Sequence, residues 1–545
     1  MGPTYTRGHM RIVQVNWARV AEGAANGGGA NVYAQQLALE LVERGHEVLW
    51  LSGGLTYVPD PVSGAVGPCK VRRMQDFRGV RTFEVFNSPV LAPGPCQARE
   101  PLGELSSAEL EAEVARFFQL VQPDIVHFHN IEGFTAGCVE AARRGSGTWA
   151  GARVVYSLHN YHTICPQVYL MKLGRVACHD SRGGRDCAAC MAGMRAPAEE
   201  RAHRASYHTV RVEPVKPAPT FGERVREMFS PTPPPPPPVL VFPGRPAEVF
   251  TDILPDEGSA REPEVVQGPA RAVDPAELVP LSNDPHPDPS DSGELNEYGQ
   301  RRRAMVEMLG RCDRVVAVSS FVQKKFEAMG VPARVLRTLM IGTRMADVVR
   351  GAAPEPPLPF DAQQPRAVKA VFLGYNNYYK GLPMLADALE LVEPGLLARL
   401  HLCVYAKAVE EILPRLDALE PRMAGLSIRS GYTYEEIPSL LRGKDVGLVP
   451  SVWWDNGPQT VMEFFACGLP VIGANLGGIP DMLRHGVNGL LFRGNDRGDL
   501  ARTLEGVLRE PSQLMALRAG VRPPRGMGEH VTDIERIYAE CLAER

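Results

Sequence analysis

A doubly wound α/β fold, built twice along one chain, is what the sequence predicts, and three observations carry that reading. Short apolar, β-rich runs alternate with stretches of helical periodicity from Arg11 onward. Several of these runs end in polar residues, as buried parallel strands with functional carboxyl ends do. The alternation lapses between about Thr209 and Glu294 and pauses again over 351–365, which divides it into blocks. At 545 residues the chain exceeds what one hydrophobic core organises, so two or three domains are expected.

The first run is Arg11–Trp17 (RIVQVNW), which leads into a loop with Gly27, Gly28 and Gly29. Helical spacing then continues from Asn31 to Arg44, and Gly45 sits where a left-handed cap is wanted. Glu47–Leu51 is a second buried strand. Ser106 with Glu109 gives a capping-box signature, and Leu110, Val114, Phe117 and Val121 keep helical spacing up to Pro123. Asp124–Asn130, Val154–Asn160 and Arg314–Phe321 add strands, the last followed by a helix to Met329 with Gly330 as its stop. Strands return at Val368–Leu373, Leu400–Tyr405, Leu426–Ser430, Val446–Val449, Val471–Gly473 and Gly489–Phe492, a second Rossmann-like unit. The closing helix, His530–Glu544, carries Val531, Ile534, Ile537, Tyr538 and Leu542 at helical spacing and needs a surface to cover.

The expected organisation is therefore an N-terminal Rossmann-like domain over 1–350 and a linker over 351–365. A C-terminal Rossmann-like domain follows over 366–527, and a helix over 528–545 packs back across both. Residues 209–297 hold PTPPPPPP and many further prolines and acids; such a segment cannot bury enough apolar surface to order itself and reads as a flexible insertion.

Composition excludes several functions. A net charge of -4 with 44% hydrophobic residues suits a globular protein without a field for nucleic acid. No apolar run reaches the roughly 18 residues of a membrane-spanning helix, and a cytoplasmic location is expected. Eleven cysteines, odd in number and scattered, argue for free thiols rather than a disulfide framework. Four of them cluster in sequence: Cys165, Cys178, Cys187 and Cys190, the last pair as C-x-x-C. That grouping admits a structural zinc ion or plain thiols in a loop.

The most informative window is Val449–Asp481, where Asp455 and Glu463 stand seven residues apart. Asn456 and Pro458 suit a helix cap and first turn, so a helix is expected from about Pro458 to a stop at Gly468. Asp455 then lies in the loop and Glu463 about one turn into the helix, with exposed backbone N–H groups of Gly457, Pro458's neighbours Gln459 and Thr460 between them. Diphosphate oxygens suit those N–H groups and the positive end of the helix dipole, and the flanking acids can accept hydroxyls of a sugar and a ribose. Capping and solvated surface are the bland alternative for the same two acids.

The letters around them resemble glycosyltransferase family 4: DNGPQTVME, then ACGLPVI, LGGIPD and HGVNGLLF, in the order of that family's Glu, seven residues, Glu pattern. GGGANVYAQQLALELVERGHEV and PDIVHFHN are similar to its first glycine loop and His-bearing strand end, so the likeness spans most of the chain outside the insertion. The resemblance implies a GT-B fold, two Rossmann-like domains facing each other across a cleft, and retaining transfer from a nucleotide sugar. It implies Asp455 at the donor sugar, Glu463 at the ribose, Gly28 and Gly29 near the diphosphate, and His129 close to the reacting sugar. His127, two residues earlier, shares that strand face but sits deeper.

VFLGYNNYYKGLPML matches the family's phosphate clamp at Gly374 and Lys380, but its arginine position is Tyr375. Asn376, Asn377, Tyr378 and Tyr379 are candidate neutral donors there. The departure, with Asp455 for Glu, leaves Lys380 and the helix N-terminus with more of the leaving-group stabilisation and admits a weakly active or inactive relative. Lys380 and the helix dipole can do a cation's work, so no cofactor is required and metal-independent transfer from a UDP- or GDP-sugar is expected. The family implies a glycan, lipid-linked or small-molecule acceptor, in cell-surface polysaccharide or lipopolysaccharide synthesis with peripheral contact at the inner membrane face, or in natural-product glycosylation. An oxidoreductase is disfavoured because the Gly27 run lacks G-x-G-x-x-G spacing; an epimerase, a phosphorylase or a sugar-binding protein without turnover are the remaining rivals.

Overall fold

The computed structural model describes residues 9–23, 28–60, 65–145, 147, 149–174, 176–179, 181–207, 281–283, 294–350, 355, 359–361, 366–375 and 378–544. Most of the proline-rich insertion and the 351–365 linker, together with Gly27, Asn376 and Asn377, lies outside them.

The first sheet takes its strands from β1 (Arg11–Val15), β2 (Glu47–Gly53), β3 (Lys70–Arg73), β4 (Arg81–Phe86), β5 (Ile125–Phe128) and β6 (Arg153–Leu158). A small hairpin, β7 (Met171–Lys172) and β8 (Val176–Ala177), stands apart, and β9 (Arg314–Ala317) and β10 (Leu336–Thr338) complete the sheet. Its order is β10-β9-β6-β5-β1-β2-β4-β3, parallel throughout except for the antiparallel edge pair β3 and β4. The second sheet joins β11 (Val368–Tyr375), β12 (Leu400–Lys407), β13 (Gly425–Ser430), β14 (Val446–Val449), β15 (Val471–Ala474) and β16 (Gly489–Phe492). All its pairs are parallel, in the order β13-β12-β11-β14-β15-β16. Helices cover both faces, so the central strands are apolar on both sides: β1, β5, β9, β14 and β15 are buried almost throughout.

Local rules place most elements to within a few residues. The glycine-loop helix runs Gly28–Glu43 and ends before Gly45 at φ 89°. The helix expected after Ser106 spans Ala108–Val121, and its cap is Ser107, whose extended backbone lets its hydroxyl accept from the Leu110 N–H at 3.4 Å. Glu109 instead accepts from the Cys69 N–H at 2.7 Å, tying the helix to the strand β3 side.

The C-terminal helix, Met527–Ala543, lies against the glycine-loop helix and β6 of the first sheet. Glu535 accepts from Arg44 at 2.8 Å and faces His46 at 2.9 Å, and Glu544 pairs with Arg314. Beneath it sits a polar cluster. His127 bonds the Tyr538 hydroxyl at 2.6 Å and Ser157 at 2.8 Å, and His530 bonds Tyr33 at 2.7 Å. His129 bonds Gln14 at 2.5 Å and His159 at 3.2 Å. A further buried trio, Glu104, His162 and Arg301, joins the helix Glu297–Arg311 to the same domain, with His162 at 3.2 Å and the guanidinium on the other carboxylate oxygen.

Candidate functional site

β14 is the strand beside β11, and its carboxyl end opens into the loop Pro450–Pro458. The indoles of Trp453 and Trp454, 6% and 1% exposed, anchor that loop in the core and fix the backbone of Asp455 between them and the next helix. Lys380 arrives from the short turn Tyr378–Lys380 after β11. Gly381, at φ 78°, lets the two loops touch, since a Cβ there would stand 1.7 Å from the Pro450 carbonyl oxygen. The Val452 N–H donates to the Tyr379 carbonyl at 3.0 Å. With the backbones stitched together, Lys380 Nζ donates to Asp455 Oδ2 at 2.9 Å, and Ser451 Oγ reaches the same oxygen at 3.4 Å.

The following helix spans Gln459–Ala466 and stops at Cys467, before Gly468 at φ 70°. Its N-cap is Pro458, and no side chain caps it. Asn456, expected as the cap, is not one: its Nδ2 donates to the Leu158 carbonyl at the end of β6, 3.4 Å away. A partner on the other sheet has taken the side chain that local rules assign to the helix.

Glu463 lies on the buried face of this helix, 6% exposed. Among the described residues nothing donates a hydrogen bond to its carboxyl group, and burial pushes its pKa up to about 7, with the Lys380 charge pulling the other way. A folded-state value above the unfolded one means that stability falls as pH rises from about 4.5 to 7, by roughly 3 kcal/mol in all. Glu463→Gln should therefore gain on the unaltered chain between pH 5 and pH 8, with a relative rise in Tm of about 2 °C or more. Parallel Tm curves would mean that this carboxyl ionises as freely as in water.

Tyr432 and Tyr434, just beyond β13, both feel the Glu463 charge, and burial raises both hydroxyls; Tyr432 also feels Tyr375. Tyr375 itself ends β11, its ring 5.5 Å from Lys407 Nζ. Gly374 beside it has φ 145°. On either side of Asp455, Trp453 Nε1 and Asn456 Oδ1 are buried without a hydrogen-bond partner among the described residues.

The first sheet meets this loop closely. Gln459 Nε2 donates to the Gly29 carbonyl at 2.7 Å, and the Tyr161 hydroxyl donates to the Trp454 carbonyl at 2.8 Å. Gly28, at φ 55°, opens the same turn, and Gly457 lies beside Val318. Thr460 is half-buried in the first turn of the helix. Asp481 meets the start of the helix Ser320–Ala328, whose N-cap is Ser319, accepting from the Ser320 N–H at 2.5 Å and its hydroxyl at 2.7 Å. The structure thus gathers Asp455, Glu463, Lys380, Gly29 and the 456–460 segment at one place. His129 stands elsewhere: it is 1% exposed, its ring 6.4 Å from that of Trp50, in the cluster under the C-terminal helix.

The four clustered cysteines are brought together by the fold. Cys165, Cys178, Cys187 and Cys190 are neighbours and line one small cavity. Among the described residues, however, no three His, Cys, Asp or Glu side chains are grouped so as to hold a metal ion. Burial raises the thiols of Cys165, Cys187 and Cys190, the last to about 11, and Cys190 Sγ accepts from the Leu173 N–H at 3.0 Å. None of the eleven cysteines is in a disulfide.

Sequence reasoning missed Tyr161, Tyr432, Tyr434 and Asp481. A signal existed for the two tyrosines after β13, because loops at the carboxyl ends of parallel strands carry binding residues. Tyr161 and Asp481 act across the two sheets, where local pattern is silent.

Two family models match the chain: Glycosyltransferase Family 4 over residues 27–181 and Glycosyl transferases group 1 over residues 367–510. A D-inositol 3-phosphate glycosyltransferase of Rhodococcus opacus (strain B4) is 31% identical over 162 residues, 28% of this chain and 36% of that protein. The chain therefore matches about a third of the length of that curated relative. Among solved structures, a sucrose-phosphate synthase from Thermosynechococcus elongatus superposes with a TM-score of 0.55 at 14% identity, covering 98% of this chain and all of the other. A glycosyltransferase from Rickettsia africae ESF-5 gives 0.50 at 12% identity, over 99% of this chain and all of the other. The first-sheet domain thus matches the Glycosyltransferase Family 4 model, the second-sheet domain matches the Glycosyl transferases group 1 model, and the chain has the GT-B fold of two facing Rossmann-like domains.

Proposed function

We propose that the chain moves a sugar from a nucleoside diphosphate sugar to an acceptor with retention of configuration, the donor lying between the Gln459–Ala466 helix and Lys380. The single observation that carries the reading is Glu463: a carboxyl group buried beside an uncapped helix N-terminus, with no bonding partner of its own among the described residues. Burying a carboxylate without hydrogen bonds costs stability, and ribose hydroxyls are donors that would satisfy it. Trp453 Nε1 and Asn456 Oδ1 add two more buried polar atoms that a ligand can satisfy.

In this reading the first-turn N–H groups and the Lys380 ammonium take the diphosphate, and Asp455, held by Lys380, faces the donor sugar. As the bond to the anomeric carbon breaks, charge builds on the diphosphate and on an oxocarbenium-like sugar. The acceptor oxygen enters from the face the leaving group vacates, and preorganised positive charge at the leaving oxygen is the main rate term. Lys380 and the helix dipole supply that charge without a metal. Gly28 and Gly29 bring backbone close to the diphosphate from the facing domain, and closure of the two domains on the donor excludes water. His129, neutral and bonded to His159, forms part of the polar floor on the acceptor side. UDP- and GDP-sugars are the candidate donors. The acceptor is a glycan, a lipid-linked sugar or a small molecule; the matched relative's printed name adds an inositol phosphate to that set. Cell-surface polysaccharide or lipopolysaccharide assembly, in the cytoplasm or at the inner membrane face, is the proposed setting. Among the described residues no helix is long and apolar enough to cross a membrane.

Binding without turnover is the second reading, favoured by Tyr375 in the position where the family has an arginine. A panel of UDP- and GDP-sugars, with sugar and inositol phosphate acceptors, separates the two. Release of nucleoside diphosphate with one donor, and a higher Tm with the same donor, is the expected result. A higher Tm with no release under any acceptor would favour binding alone, and neither response would sink the reading.

A further inference from the structure

The tripeptide Leu281–Asn283 closes a stretch of chain that starts and ends on the first-sheet domain. Before it, Arg204 in the helix Pro197–Tyr207 donates to the Gly54 and Ala92 carbonyls at 2.9 and 2.8 Å. After it, Arg301 in the helix Glu297–Arg311 pairs with Glu104. Between them, these three residues bind loops of the second sheet. The Leu281 N–H donates to the Gly494 carbonyl at 3.0 Å, and the Leu281 side chain is 7% exposed. The Ser282 carbonyl accepts from Trp454 Nε1 at 3.0 Å. Asn283 grips the Gly477 peptide from both sides, Oδ1 accepting from its N–H at 2.5 Å and Nδ2 donating to its carbonyl at 3.2 Å.

Those contacts fall on the loops that follow β14, β15 and β16 in turn, all at carboxyl strand ends. Gly477 lies directly against Asp455. At φ 56° a Cβ on Gly477 would stand 2.1 Å from the Asp455 carbonyl oxygen, and the Gly478 N–H donates to that same oxygen at 2.7 Å. Trp454, bonded to Ser282, is the residue before Asp455. The tripeptide therefore holds the Asp455 backbone from two directions.

We infer that Leu281–Asn283 is a strap which positions Asp455, and that Asn283 is its positioning residue. This rests on the reading of Asp455 as the residue facing the donor sugar. An asparagine side chain repeats the geometry of a peptide group, so it pairs with both polar atoms of a glycine peptide that no strand neighbour engages. Glycine at 477 permits the close approach to Asp455 but leaves the loop many alternative conformations, which the amide pair removes. The strap's described bonds fall on the Asp455 side of the site, at Trp454 and Gly477, so donor affinity and donor turnover should separate.

The test uses the full chain with the donor it turns over, comparing Asn283→Ala, Asn283→Asp and Asp455→Asn. Asn283→Ala is expected to lower kcat about tenfold with KM for the donor within about twofold, and Tm within about 2 °C of the unaltered chain. Asn283→Asp keeps the acceptor for the Gly477 N–H and should retain more of kcat than the alanine variant. Hydrogen exchange gives a readout that needs no substrate: in Asn283→Ala, peptides over 453–456 and 476–481 should exchange at least about tenfold faster. Unchanged kcat and unchanged exchange in Asn283→Ala, with Asp455→Asn inactive, would overturn the strap and leave the donor site standing. A matching loss of Tm and kcat would make Asn283 merely structural and also overturn it. Full activity in Asp455→Asn would overturn both.

Discussion

Lys380→Ala is expected to lower kcat/KM about 100- to 1,000-fold, the loss typical when one preorganised donor is removed from a site of developing negative charge. Its ammonium is the cation bonded at 2.9 Å to Asp455, and it lies close enough to Glu463 to oppose the rise of that carboxyl's pKa. Where the resemblance leads one to expect an arginine that would share the work, the chain has Tyr375, whose ring lies by Lys407. Because diphosphate charge grows as the sugar departs, the fall should appear mainly in kcat. Lys380→Arg keeps the charge but spreads it over a planar fork, and should recover only part of the activity. Steady-state rates of nucleoside diphosphate release decide the matter. A loss under about fivefold in Lys380→Ala would move the leaving-group role to another residue.

Acid should destabilise the protein steeply, and the cause lies away from the donor site. His127, His129 and His530 are at most 1% exposed, and burial holds all three below the ordinary histidine value, His530 at about 3. Arg525 beside His530, and the other histidines beside His127 and His129, push the same way. These rings are neutral in the folded protein and free to take protons when it unfolds. Their contribution is full above about pH 6.5 and is lost as pH falls below it, at about 1.4 kcal/mol per histidine per pH unit. Three such groups give roughly 4 kcal/mol between pH 6.5 and 5.5, enough to lower Tm by several degrees. Because His127 and His530 join the C-terminal helix to the first sheet, that helix should be the first to exchange at pH 5.5. Equal Tm values at pH 7.5 and 5.5 would contradict the neutral cluster.

How much of this the sequence discloses varies with the kind of contact. Central parallel strands such as β1, β14 and β15 are legible because both faces are buried, which leaves unbroken apolar runs. Edge strands are not: β3 is KVRR and β4 is RTFEVF, whose charged residues hide them among the loops between Leu51 and Ser106. Asp455 and Glu463 are legible as a pair, because residue type and spacing suffice to put one in a loop and the other in a helix. What Asn456 does is not legible, since its partner at Leu158 lies 298 residues away in sequence. The same limit explains His129, whose strand end is correctly located but whose ring is claimed by Gln14 and His159. Composition explains the third case: a proline-rich, acidic stretch reads as uniform, and nothing in it distinguishes Asn283 from its neighbours.

The most direct test is a crystal structure of the protein with a bound nucleoside diphosphate. Phosphate oxygens at the first-turn N–H groups of Gln459 and Thr460 and within hydrogen-bonding distance of Lys380 Nζ, with ribose on Glu463, are the expected result. A nucleotide bound at another site, with Lys380 still paired to Asp455 and Glu463 unliganded, would contradict it.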